Sequence, residues 1–116
     1  MKHVYRLSEA YHFSWDGLDG YSYSGKTDFE RTSAAKFVVT KRHGRVYNDI
    51  SDRIYLVLQG NGWFEISGTR LEVTETDVVI VPRQTEYDYG GEMQLFLVHS
   101  PAYDQTTDHD IEGFQS

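Results

Sequence analysis

A chain of 116 residues suffices for one domain with a core, and a net charge of −7, from 18 acidic and 11 basic residues, disfavours a phosphate backbone as partner. Cysteine is absent, which excludes disulfides, thiolate metal sites and a cysteine nucleophile. Nine Tyr, six Phe and two Trp stand in a chain that is only 39% apolar, so packing of large rings must carry the stability.

No apolar run reaches signal-peptide or membrane-spanning length, so the expectation is a cytoplasmic protein with neither membrane nor nucleic acid as partner. The one basic patch, Lys41, Arg42, His43 and Arg45, reads most simply as a solvated strand end.

In chain order, Lys2 to Leu7 allow a short strand, and Ser8 can cap one helical turn. Ser14 to Thr32 turn to Gly, Ser, Asp and Tyr, with Gly17, Gly20 and Gly25 as breakers, and read as irregular loop or short edge strand. Ala34 to Arg42 hold Phe37, Val38 and Val39 in a β-favouring run that ends at Gly44. Arg45 to Ser51 read as a loop or the start of the next strand.

Asp52 to Ile66 dominate the chain: a run of Ile, Tyr, Leu and Val meets Gly60-Asn61-Gly62 and resumes as Trp63, Phe64 and Ile66, which predicts a hairpin. Arg53, Tyr55 and Val57 share one face of the first strand, while Ile54, Leu56 and Leu58 share the other. Both faces are largely apolar. Such a strand is central to a two-layer fold or is covered by a second subunit.

Ser67-Gly68 predicts a turn and Thr69 to Val73 a strand. Asp77 to Val81 form a β-branched run that Pro82 ends, because proline cannot donate to a ladder. Glu86 to Tyr89 read as a short strand, Gly90-Gly91 as a hairpin turn, and Met93 to His99 as the last strand, terminated by Pro101. After Tyr103 little can be buried, and a mobile polar tail is expected. Short strands separated by turns, with no convincing helix, place the chain in the all-β class as a sandwich or barrel.

Arg53 to Gly60, followed by Asp77 to Pro82, resembles the two motifs of the cupin superfamily, and the ending Leu95 to Pro101 resembles that of small single-domain cupins. The resemblance spans roughly residues 34–101. It implies a cupin-type jelly-roll barrel (double-stranded β-helix), with residues 1–33 as a strand and loop segment packed on it and residues 102–116 as the tail. It also implies a cavity open at one end and a homodimer. The family's metal ligands would fall at Val46 to Asp49, at Arg53 and at Tyr87. The family's His and Glu ligands are replaced at all of these positions, and an arginine would repel a cation, so neither a metal nor another cofactor is expected.

By the same resemblance Arg53 points into the barrel beside Tyr55, Tyr87 and Tyr89. A guanidinium among rings suits a carboxylate or phosphate held in bidentate fashion, with Asn48 as a further hydrogen-bonding contact. The other reading of Arg53 is an internal ion pair with Asp49, Asp52, Glu86 or Asp88. His43 and His99 are candidate catalytic bases, His43 reading otherwise as a surface strand end and His99 as a hydrogen-bonded rim residue. Three functions follow: binding of a small, anionic molecule without metal; isomerisation or epimerisation of a sugar or sugar acid; and a structural dimerisation module with a filled barrel.

Overall fold

The structure, a computed structural model, describes residues 2–112. Met1 and residues 113–116, the end of the expected tail, lie outside the described residues. Among the described residues nine strands form one curled sheet: β1 (Tyr11–Trp15), β2 (Leu18–Ser22), β3 (Ser33–Val39), β4 (Arg45–Asn48), β5 (Asp52–Ile66), β6 (Thr69–Thr74), β7 (Val78–Val81), β8 (Tyr87–Ser100) and β9 (Asp108–Glu112). No helix among these residues is long and apolar enough to cross a membrane.

The expected hairpin at Gly60-Asn61-Gly62 does not exist, and neither does the turn at Gly90-Gly91. Both segments run straight through as the long strands β5 and β8, which pair antiparallel from Asp52↔Ser100 to Ile66↔Tyr87. The first half of β5 and the second half of β8 join β7 and β3, with β1 and β2 beyond; the other halves join β6, β4 and β9. Two layers therefore share two bent strands, a jelly-roll barrel.

The glycines permit the bend rather than a turn. Gly62 lies opposite Gly91, and Trp63 opposite Gly90. A Cβ on Gly62 would lie 2.2 Å from the Gly90 carbonyl oxygen, and one on Gly91, which has φ +115, would lie 2.5 Å from the Gly62 Cα. Backbone meets backbone here because no side chain intervenes. Gly91→Ala is accordingly expected to cost at least about 2 kcal/mol, read as a lower urea midpoint with unchanged slope. A midpoint equal to that of the parent chain would show that the two strands can part without penalty.

Other boundaries move for similar reasons. Tyr11 to Ser22 form the hairpin β1-β2, across the expected helical turn and into the stretch read as irregular loop or short edge strand, and Arg45 to Asn48, read as a loop or the start of a strand, form β4. Leu7–Glu9 make a 3₁₀ turn that follows Arg6 rather than a Ser8 cap, and Lys2 to Arg6 join no strand. Asp108 to Glu112, placed by sequence in the tail, pair with β4 as β9.

The inner faces of the two layers form the core. Tyr55, Phe64, Tyr87 and Tyr89 are all but fully buried, with ring centroids 5.0 Å apart for Tyr55 and Phe64 and 5.4 Å for Tyr55 and Tyr89. Aromatic pairs at such spacing contribute about 0.5–1.5 kcal/mol each beyond the area they bury. On the outer face Ile54, Val78 and Ile80 remain exposed.

Candidate functional site

Strand alternation carries a row of polar side chains to one end of the inner face. Ser33 of β3 faces His99 of β8, and His99 faces Arg53 of β5; the next inward row is Ala35, Leu97 and Tyr55, and Phe37 and Leu95 follow. Above these rows a cavity of about 530 Å³ opens, a size suited to a small molecule. Its outer wall comes from β1, where Tyr11, Phe13 and Trp15 alternate onto the cavity side with ring centroids 6.1 and 5.4 Å apart. Gly20 gives Phe13 its place, since a Cβ there would meet that ring at 2.2 Å.

Arg53 does enter the barrel, but its charge is engaged by the protein. It is 4% exposed; its Nη1 donates to the Tyr87 hydroxyl at 2.6 Å and its Nη2 to Asp108 Oδ1. The Tyr87 hydroxyl lies 2.6 Å from that of Tyr55, so a hydrogen-bond chain runs from Asp108 through Arg53 and Tyr87 to the cavity wall. Burial opposes the guanidinium charge, and the oxygens of Tyr87, Tyr55 and Asp108 more than offset this. None of the four acids considered from sequence supplies the partner. Asp108 does, and it reaches Arg53 only because β9 lies beside β4.

His43 is buried rather than at a surface strand end. It stacks on Tyr89 with centroids 4.6 Å apart and planes 17° from parallel, and it meets Trp15 edgewise at 6.2 Å. The Gly44 carbonyl oxygen lies 2.9 Å from Nδ1. A carbonyl only accepts, so Nδ1 carries the proton and Nε2 the lone pair of the neutral ring. Burial lowers the His43 pKa from its ordinary value, against the Gly44 and Asp88 contributions. The Tyr89 hydroxyl is buried with no hydrogen-bond partner, and burial with the nearby Tyr87 raises its pKa well above the ordinary value, so it stays protonated.

His99 lines the cavity at its polar end, and burial followed by the Arg53 charge hold its pKa well below the ordinary range. Of the other sequence candidates, Tyr55 and Tyr89 line the cavity and Tyr87 stands behind it as the Arg53 partner. Asn48 lies elsewhere: its amide nitrogen donates to Thr107 and Asp108 and its oxygen accepts from the backbone of Ile50 and Ser51, which ties β9 to the β4-β5 turn. Sequence reasoning passed over Asp108 and the β1 wall. The period-two spacing of Tyr11, Phe13 and Trp15 could have shown the wall; nothing local marks Asp108.

Acid should loosen this site. Both histidines have folded-state pKa values below the unfolded value of 6.5. Above that pH both states are neutral and stability is at its full level; below it the unfolded chain takes up protons that the folded one refuses, so stability falls as pH falls. The melting temperature is expected to be level from about pH 8 to 7 and to drop from about pH 6.5 to 5, less steeply in His99→Gln. An unchanged slope in that variant would remove His99 from the account.

No protein-family model and no curated protein matches the chain. Among solved structures, Streptomyces Pac13, described as a unique nucleoside dehydratase, superposes with a TM-score of 0.91 at 23% identity, over 99% of this chain and 95% of that one. The chain has the cupin fold. Other cupins align as well: KdgF from a Halomonas species, with a TM-score of 0.78 at 14% identity over 91% of this chain and 99% of that one, and a predicted oxalate decarboxylase from Thermotoga maritima, with 0.76 at 16% over 85% and 99%. Pac13 variants with a histidine changed to glutamine, or a tyrosine to phenylalanine, were solved with uridine.

The metal that cupins commonly hold does not fit the residues present here. A divalent cation at the polar end would sit against the Arg53 guanidinium, and of the two carboxylates that line the cavity, Asp108 and Asp110, the first already pairs with that guanidinium. Among the described residues no group of three or more His, Asp or Glu is placed to hold a metal ion.

Proposed function

We propose that this cupin binds an uncharged nucleoside in its barrel mouth and eliminates water from the sugar, with His43 moving the proton. The observation that carries this reading is the stacked pair His43 and Tyr89: a neutral imidazole whose Nε2 holds a lone pair, against a buried phenol that has no partner. The match to a nucleoside dehydratase, with uridine-bound variants of a histidine and of tyrosines, supports the substrate class. The Arg53-Asp108 pair supports a neutral ligand over an anion, because the buried Arg53 charge is already compensated.

An imidazole removes a carbon-bound proton only where a neighbouring carbonyl acidifies it, so the substrate is a nucleoside oxidised on its sugar. His43 Nε2 takes the proton beside the carbonyl and the electron pair moves onto the carbonyl oxygen as an enolate. The Tyr89 hydroxyl donates a hydrogen bond to that oxygen. The enolate then re-forms the carbonyl, the new carbon-carbon double bond forms, and the bond to the β-hydroxyl breaks; the imidazolium returns its proton to the departing hydroxide as water. His43 ends neutral, ready for another cycle.

Calorimetric titration with uridine tests binding, and mass spectrometry of sugar-oxidised nucleosides incubated with the protein tests for loss of one water. Tyr89→Phe, which keeps the ring that stacks on His43, is expected to lower kcat by about 10²-fold and leave KM within a small factor. Equal kcat in Tyr89→Phe would remove the phenol from the reaction.

A further inference from the structure

Behind the His43-Tyr89 pair stands a buried carboxylate that the proton transfer leaves unused: Asp88, 1% exposed. Its Oδ1 accepts from the Gly44 backbone N–H at 2.8 Å and from the Tyr89 backbone N–H at 2.7 Å, and its Oδ2 accepts from Arg42 Nε. The two residues that flank His43 and the backbone of Tyr89 thus share one carboxylate. A further bond closes the group, from the His43 backbone N–H to the Tyr89 carbonyl oxygen at 2.7 Å.

Gly44 carries this grip to the imidazole. Its carbonyl oxygen receives the Nδ1 proton of His43, 2.9 Å away, and its own N–H is the one that Asp88 holds. Gly44 has φ +108, a region that residues with a side chain rarely enter, and the bond to Asp88 pins the backbone there with the carbonyl facing back to His43. The tautomer that leaves the lone pair on Nε2 depends on that carbonyl. On the other side, the Tyr89 N–H fixes the point on β8 from which the phenol ring stacks on His43.

Two backbone donors would be satisfied as well by a neutral amide oxygen, and burying a carboxylate is costly. The charge, however, faces a ring that becomes positive once in every cycle. Among the charged groups around His43, Asp88 on β8 and Asp108 on β9 favour the imidazolium, Asp88 the more strongly, while Arg53 on β5 opposes it and burial opposes it most. Arg53 and Asp108 already pair with each other. Arg42 stands at the outer oxygen of Asp88 with its side chain 44% exposed against 2% for Asp88, so water screens its charge. Tyr89 and, from β1, Trp15 bring uncharged rings.

We propose that Asp88 is a positioning residue for the proton transfer: its carboxylate clamps the Arg42-His43-Gly44 segment to Tyr89, so that imidazole and phenol face the cavity together, and its charge steadies the imidazolium formed in each cycle. The inference rests on the dehydration proposed above and names the group that holds its two reacting side chains in place.

Two variants of the full chain separate the grip from the charge. D88N keeps an oxygen for the Gly44 and Tyr89 N–H groups and gives up the Arg42 contact and the charge; D88A gives up all of them. By proton NMR, the His43 ring resonance, identified by its absence from H43Q, should titrate at lower pH in D88N than in the parent chain, since a charge that favours the imidazolium has gone. With a sugar-oxidised nucleoside the acid limb of kcat/KM should move the same way, with kcat in D88N about threefold to tenfold below the parent and KM within a small factor. D88A should lose about 10²-fold in kcat, the effect of a reacting group displaced by about 1 Å. His43 titrating at the same pH in D88N and the parent chain would reduce Asp88 to a structural acceptor and overturn the proposal, as would a folded D88A that turns over at the D88N rate. Where D88A does not fold, the titration in D88N carries the test. A parent chain that dehydrates no sugar-oxidised nucleoside would overturn the reading on which the inference rests, while the His43 resonance still decides, without substrate, whether Asp88 governs that ring.

Discussion

His43→Gln is expected to hold uridine with nearly the parent affinity while dehydration of a sugar-oxidised nucleoside falls by about 10²–10⁴-fold, the range for loss of a positioned proton-transfer group. Glutamine preserves the approximate volume and a hydrogen-bonding end against Gly44, so the stack on Tyr89 should be loosened rather than emptied. The pH profile of the parent chain supplies an independent check. His43 must be neutral to accept a proton, and burial lowers its pKa from 6.5, so kcat/KM should be level at neutral pH and fall only on the acid side of 6.5. A rate limb centred above pH 7, or a glutamine variant as active as the parent, would assign the proton transfer to another group.

Asp108→Ala is expected to lower stability by about 3 kcal/mol, because removing one member of a buried pair leaves the other charged and uncompensated. For a domain of this size that amounts to a fall of roughly 12–20 °C in melting temperature. Arg53 is the more costly charge to strand, with its side chain 5% exposed against 20% for Asp108. The double variant Arg53→Met with Asp108→Ala should lose less than the two single losses added together, since no lone charge remains. Strict additivity would mean that the two side chains are not coupled. From sequence, Arg53→Ala is expected to cost a ligand and spare the fold; the tertiary structure gives Arg53 a structural task, because the guanidinium ties β5 to Tyr87 of β8 and to Asp108 of β9.

Much of the barrel was legible because strand alternation is local. The inward set Arg53, Tyr55 and Val57 follows from period two alone, as do Leu95 and Leu97 on β8, and Pro82 and Pro101 stop strands for reasons contained in one residue. That Arg53 cannot serve as a metal ligand could also be seen in the chain, since a guanidinium does not ligate a cation wherever it is placed. The family resemblance supplied the jelly roll from motifs within residues 34–101. Glycine misled. A residue without a Cβ serves a tight turn and a close backbone crossing equally well, and only the opposing strand decides which; Gly62 and Gly91 allow β5 and β8 to bend together because each faces the other.

The site itself was divided in the same way. Sequence determined the chemical types, histidines, tyrosines and an arginine on strands of one barrel. Which of them meet was decided in three dimensions. His43 sits in a basic stretch that looks solvated until Tyr89 and Trp15 cover it, and Arg53 looks ligand-seeking until Asp108 arrives from 55 residues away. Burial and charge compensation are properties of neighbours that the chain brings together only on folding, so the nature of each residue could be read in order along the sequence, and its partner could not.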